Sequence, residues 1–235
     1  MKKQAKVFLI PSLLDDTAQQ TIPAYVLQAL KICEVLFVEN ERSARRYLKS
    51  LDKTINIDQY EWFTIHKSED EVAGSFREKI KAGKIIGIIS EAGCPGVADP
   101  GQLLVQVAQE MGAMVSPLVG PSSILLALMA SGMNGQQFQF VGYLPIDQAE
   151  RQRKILELEN ESKRKNTTQL FIETPYRNNQ LLETILKTCK PATRLCVAVE
   201  ITGPGELIQT KTIVQWKEKI PDLNKKPALF LILAP

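Results

Sequence analysis

The run Lys84–Ile89 (KIIGII), with the glycine- and proline-rich stretch 90–101 and an apolar helical pattern behind it, restricts this chain more than any other feature. A short apolar run without polar alternation is the mark of a strand buried on both faces. A strand that feeds a loop and then a helix, here Leu103–Met111, is the repeating unit of an open α/β sheet. Further units flank it. Val7–Ile10 ends at Pro11, Val35–Val38 ends at the charged stretch Glu39-Asn40-Glu41-Arg42, and Met114–Leu118 leads through Gly120-Pro121 into a helix over Ser122–Ser131. Helical spacing also marks Ile22–Ala29, Ala44–Leu51 and Glu69–Ala82, the last stopped by Gly83. The alternation predicts a mainly parallel sheet with crossover helices.

From Phe138–Leu144 onward the rhythm changes. A long charged helix, Gln148–Lys165, follows that segment and is itself followed by a strand at Gln169–Ile172. A helix over Tyr176–Cys189 and strands at Arg194–Glu200, Leu207–Gln209 and Ala228–Leu233 follow. The fold class expected is therefore α/β in two domains, residues 1–137 and 138–235. The clusters Arg151-Gln152-Arg153-Lys154 and Lys163-Arg164-Lys165 on the long helix are read as a solvated face, because Glu157, Glu159 and Glu161 dilute their charge.

Composition narrows the function classes. With 44% hydrophobic and 23% charged residues the chain is ordinary globular material, and a net charge of +3 permits an acidic partner without arguing for one. Cys33, Cys94, Cys189 and Cys196 form no Cys-x-x-Cys pair, and there is one histidine, His66. Neither a disulfide frame nor a metal centre is expected. The opening apolar run is cut short by Pro11 and Asp15-Asp16, and no stretch approaches the ~20 apolar residues of a membrane helix. A cytoplasmic protein is the expectation.

Two loops carry the chemical signal. The stretch 90–101 follows the KIIGII strand at the place where open α/β sheets put their ligands, and its glycines let main-chain groups come close to one. Val119-Gly120-Pro121-Ser122-Ser123 is a second strand–turn–helix junction, whose serines can cap the helix and whose free amides can meet an anion. Neither a G-x-G-x-x-G fingerprint nor a phosphate loop is present, which disfavours a nucleotide phosphate as ligand.

The segments SEAGCPGVADPG, VGPSSILLALMASGM, FQFVGYLP, VENERS, FIETPYR and AVEIT, in this order along nearly the whole chain, resemble the tetrapyrrole methylase superfamily. Within it they are most similar to the branch that methylates a ribose 2′-hydroxyl of small-subunit ribosomal RNA. The resemblance implies that S-adenosylmethionine lies in a cleft between the two domains, held largely by main-chain groups. It places the cofactor contacts at Pro11, Cys94, Pro95, Val97, Ser122, Ser123, Glu173, Val199, Pro227 and Ala228. Glu39 and then Glu173 are the candidate proton acceptors, with Arg42 beside them; His66 and Arg177 are candidate substrate contacts. No metal is implied; the partners implied are RNA or the small ribosomal subunit and a second copy in a homodimer.

Several positions depart from the branch. Its T-P-I-G-N-L is Ile10-Pro11-Ser12-Leu13-Leu14 here, its E-D-T-R is Glu39-Asn40-Glu41-Arg42, its H-x-H-N-E survives as His66 followed by Glu69, and its K-G-E becomes Lys226-Pro227-Ala228. These changes keep two alternatives open: a methylase of a small anionic, tetrapyrrole-like substrate, and a cofactor-binding protein whose catalysis has lapsed.

Overall fold

The computed structural model describes residues 4–65 and 70–235. His66 and Glu69 lie outside the described residues. The chain divides into two compact units, Met1–Ser122 and Ser123–Pro235.

The first unit is a five-stranded parallel sheet: β1 (Lys6–Ile10), β2 (Val35–Val38), β3 (Glu61–Thr64), β4 (Ile85–Ile89) and β5 (Met114–Pro117), in the order β3-β2-β4-β1-β5. Its helices are α1 (Ala24–Ile32), α2 (Glu41–Leu51), α3 (Asp70–Lys81) and α4 (Gln102–Glu110). Alternate side chains of each strand serve opposite faces. Phe8, Ile10, Leu36 and Val38 meet α1 and α2 through Val26, Leu30, Tyr47 and Leu48. Val7, Val35, Phe37, Ile86 and Ile88 meet α3 and α4 through Phe76, Ile80, Leu104 and Val107. The strands read as unbroken apolar runs because both faces are covered. Gly87 interrupts KIIGII for lack of room: a Cβ there would stand 2.7 Å from both Ile10 Cδ1 and Leu36 Cδ2.

The second unit holds β6 (Phe138–Tyr143), β7 (Thr168–Ile172), β8 (Arg194–Val199), β9 (Leu207–Thr212) and β10 (Ala228–Leu233), ordered β6-β7-β10-β8-β9. Only β6 and β7 are parallel; β10 runs antiparallel between β7 and β8, and β8 pairs antiparallel with β9. Its helices are α5 (Ser123–Ser131), α6 (Gln148–Lys165), α7 (Asn178–Thr188) and α8 (Ile213–Glu218). Phe171, Val197, Phe230 and Ile232 pack with Ile155, Leu158, Leu182, Ile185 and Trp216 in one core. Trp216 Nε1 donates to the Leu195 carbonyl at 2.8 Å, so the buried indole leaves no donor unpaired.

Three differences from the sequence reading have physical causes. The division falls at Ser122/Ser123 and not at 137/138, because α5 packs against β9 and β10. Helix α8 was not expected; its signal is the capping box in which Thr212 accepts from the Gln215 amide and Gln215 accepts in return. Arg151 and Glu159 on α6 are buried, not part of a solvated face. Glu159 Oε1 accepts from the Lys190 amide at 2.7 Å and from Thr193 Oγ1 at 2.5 Å, tying α6 to the turn after α7. Among the described residues no helix is long and apolar enough to cross a membrane.

Candidate functional site

In the first unit the carboxyl ends of β1, β2, β4 and β5 gather the glycine- and proline-rich loops on one edge of the sheet, where such sheets bind ligands. Pro11 and Ser12 follow β1. The Ser12 amide donates to the Gly93 carbonyl at 2.8 Å and its hydroxyl to the Ser90 carbonyl at 2.7 Å. Tyr47 Oη donates to the Pro11 carbonyl at 2.6 Å. Cys94 Sγ lies 3.5 Å from the Pro121 carbonyl. Pro11, Cys94 and Ser122, which follows Pro121, are thus brought to one edge, together with the buried Pro95. Ser123 is the first residue of α5 and belongs to the second unit.

The loop after β4 is held in a shape few sequences allow. Gly93, Gly96 and Gly101 have φ of +69°, +77° and +120°, and Ala98 adopts +63°. A non-glycine residue there is uncommon and costs about 1–3 kcal/mol, which marks a loop shaped by its surroundings. The Gly96 amide closes the loop on the Pro100 carbonyl at 3.2 Å. Val97 is half exposed at its tip.

Beside this loop opens a cavity of about 250 Å³, lined by residues including Ser12, Asp16, Glu39, Ser43, Arg46 and Glu91. Asn40 caps α2, its Oδ1 accepting from the amides of Arg42 at 3.0 Å and Ser43 at 3.2 Å. Asparagine caps as well as the aspartate of the related pattern, so this departure leaves α2 seated. Glu39 Oε2 accepts from the Glu91 amide at 3.1 Å, and Glu91 Oε1 from Ser43 Oγ at 2.6 Å. Asp99 sits close enough to feel both acids. Burial first, then the charges of Glu39 and Glu91, push its carboxyl up to about 6, against a hydrogen bond with Ser90. Arg42 is exposed and does not line the cavity; Arg46, one turn on, does. The sequence carried that signal only as an i, i+4 pair of arginines.

The second unit forms another cluster where β7 and β8 end and β10 begins. Glu173 is buried, and its Oε1 accepts from the Thr174 amide at 2.6 Å and from Arg177 Nη2 at 2.7 Å. Ala228 pairs with Val199, and the Glu200 amide donates to the Pro227 carbonyl at 3.0 Å. Asn178 Nδ2 donates to the Lys226 carbonyl at 2.7 Å. Glu173, Arg177, Val199, Pro227 and Ala228 are therefore neighbours. The Val199 side chain is buried, and its main chain lies in the sheet between β10 and β9. Arg177 Nε, Asn178 Oδ1 and Thr202 Oγ1 are buried polar atoms without a protein partner. Such atoms are costly unless a ligand or water meets them. Among the described residues no group of three or more His, Cys, Asp or Glu is arranged to hold a metal ion.

Comparison with known proteins gives this arrangement a lineage. Residues 13–215 match the family described as Tetrapyrrole (Corrin/Porphyrin) Methylases. The chain is 29% identical over 231 residues to Ribosomal RNA small subunit methyltransferase I of Vibrio cholerae, across 97% of this chain and 76% of that one. The protein of the same name from Halalkalibacterium halodurans is 31% identical over 161 residues, 68% of this chain and 53% of its own length. Among solved structures, the methyltransferase CobJ superposes with a TM-score of 0.65 at 17% identity, covering 98% of this chain and 94% of that one. Uroporphyrin-III C-methyltransferase from Thermus thermophilus, complexed with S-adenosyl homocysteine, gives 0.57 at 16% identity, covering 97% of each. At these identities the two structures share the fold.

Proposed function

The chain belongs to the tetrapyrrole (corrin/porphyrin) methylase family, a family of methyltransferases, and from that membership we propose that it moves the methyl group of S-adenosylmethionine to a ribose 2′-hydroxyl of small-subunit ribosomal RNA. The observation that carries the reading is the gathering of Pro11, Ser90, Gly93, Cys94 and Pro121 on one sheet edge, with Glu39 beside them. The names of the V. cholerae and H. halodurans relatives support small-subunit ribosomal RNA as the acceptor, and the motif resemblance supports its ribose.

The residues present fit the donor. Its sulfonium and amino groups are cationic, and the cavity beside the loop is lined by Asp16 and Glu91 besides Glu39, so that two carboxylates remain for the donor when Glu39 is replaced. Its polar groups need donors and acceptors, which Ser12, Ser43 and Ser90 at that cavity offer. When bound, S-adenosylmethionine supplies an electrophilic methyl carbon; holding it ~3–3.5 Å from the nucleophile is the chief task of the protein.

The proton of the ribose hydroxyl leaves to a carboxylate. Glu39 is the acceptor in this account: it is half-buried at the cavity wall, and the Glu91 amide orients it through one oxygen, leaving the other free to accept. Glu173 serves binding instead, because one of its oxygens is engaged twice and the side chain is buried. Arg46 joins Arg42 as a group that can meet the phosphate beside the acceptor ribose. The tetrapyrrole-like alternative ranks second, because the V. cholerae and H. halodurans relatives are named for small-subunit ribosomal RNA. The protein would act in the cytoplasm as a homodimer.

Replacing Glu39 tests the assignment. Glu39→Gln should keep cofactor binding within about two-fold and slow methyl transfer by about 10²–10⁴. Full transfer by this variant would remove Glu39 from the chemistry.

A further inference from the structure

The turn after β7 carries, beside the Glu173–Arg177 pair, an exposed aromatic residue that the methyl-transfer scheme does not use. Tyr176 leaves 77% of its surface to solvent, next to Arg177, whose guanidinium is fixed on Glu173. The turn that precedes β10 is tied to it. The Lys225 amide donates to the Pro175 carbonyl at 3.0 Å, and the Lys226 carbonyl accepts from Asn178 Nδ2 at 2.7 Å. Lys225 and Lys226, both exposed, therefore stand beside the Tyr176 turn. Lys225 holds a φ of +61°, which fixes the course of that turn. Acids temper the patch only in part: Glu200 Oε2 lies 3.6 Å from Lys226 Nζ, and the Asp222 carboxyl feels the Lys226 charge. Among the described residues Lys225 has no ion-pair partner.

An exposed ring set among three cations has the chemistry that recognises single-stranded nucleic acid, in which bases stack on aromatic side chains while cations follow the phosphates. An acidic protein would be met by the lysines alone and would leave the ring without a use. Building on the RNA reading above, we propose that Tyr176 is a stacking platform for an unpaired RNA base, with Lys225 and Lys226 taking the neighbouring phosphates. Stacking tolerates any base, so the surface would hold and orient the strand without choosing its sequence. It widens the contact with the substrate beyond the reacting nucleotide.

The test is anisotropy of a short fluorescein-labelled single-stranded RNA of mixed sequence, titrated with the full chain and with Tyr176→Phe, Tyr176→Ala and Lys225→Gln. Circular dichroism would check that each variant is folded. Tyr176→Phe should bind within about two-fold of the unmodified chain, and Tyr176→Ala about ten-fold more weakly. Lys225→Gln should weaken binding and flatten the plot of log affinity against log salt by about 0.7. If the unmodified chain binds the RNA and Tyr176→Ala binds it equally well, the platform is wrong while the RNA reading stands. If the unmodified chain neither binds this RNA nor methylates ribosomal subunits, the RNA reading falls and takes the platform with it.

Discussion

The ring of Pro11 fills the space that a side chain at Gly120 would need, so that an added Cβ would overlap Pro11 Cβ and Cγ. Pro11 follows β1 and Gly120 follows β5, and these strands are neighbours in the sheet. The ring cannot simply retreat, because Tyr47 Oη holds the Pro11 carbonyl at 2.6 Å. Gly120→Ala should therefore cost about 1–3 kcal/mol in urea unfolding, the usual penalty of overpacking. It should also weaken S-adenosylmethionine binding by at least about ten-fold in calorimetry, since the two loops proposed to frame the cofactor would be forced apart. Unchanged stability would show that the loops give way easily.

The Glu173–Arg177 pair is lopsided: the glutamate side chain is 1% exposed and the arginine 33%. Removing the arginine strands a buried carboxylate, whereas Glu173→Gln keeps an oxygen for both donors. Arg177→Met should cost about 2–4 kcal/mol in chemical denaturation, and Glu173→Gln about 1 kcal/mol. Equal costs would mean that the pair is less buried in solution than its geometry shows.

Asp99 makes stability depend on pH in the direction opposite to most aspartates. Burial and the charges of Glu39 and Glu91 raise its folded-state value to about 6 from an ordinary 3.8. Between these values the folded chain holds a proton that the unfolded chain has lost, so stability falls as pH rises through about 4 to 6 and is level above that. Thermal unfolding across this range should show the fall, and Asp99→Asn should remove it. Glu39→Gln, lacking one of the repelling charges, should narrow the window from above. A slope that survives in Asp99→Asn would assign it to another group.

The four thiols should differ in reactivity. Burial pushes Cys33 up to about 12 and also raises Cys189 and Cys196, and all three are buried. Cys94 is raised as well, by burial and by the Asp99 charge, but it is only partly covered. A disulfide reagent at mildly alkaline pH should modify one thiol, slowly, in the native protein and all four in urea. S-Adenosylmethionine should protect Cys94; modification at the same rate in its presence would move the cofactor away from this loop.

The first unit was legible because its signals are local. Strands buried on both faces read as VLFV and IIGII, and the loop after β4 announces itself through Gly93, Pro95, Gly96 and Gly101. Strand β3 escaped notice because its residues Glu61–Thr64 are only partly covered at the sheet edge, which leaves no unbroken apolar run. Helix α8 is short, and its evidence is a capping pair, not a periodicity. The burial of Arg151 could not be read from a run of charges, since Arg151 differs from Arg153 only in which side of α6 it occupies. Likewise the choice of Arg46 over Arg42 at the cavity depends on how α2 is rotated against Tyr47 and the sheet, a tertiary fact without a local mark.

The central claim is tested most directly by calorimetry of S-adenosylmethionine binding, followed in the same preparation by tritiated methyl transfer to small ribosomal subunits from a strain lacking this gene. The account predicts saturable binding and label incorporated into the subunit RNA at a ribose. Binding without transfer to the RNA would contradict the assigned acceptor, and no binding at all would contradict the methyltransferase reading itself.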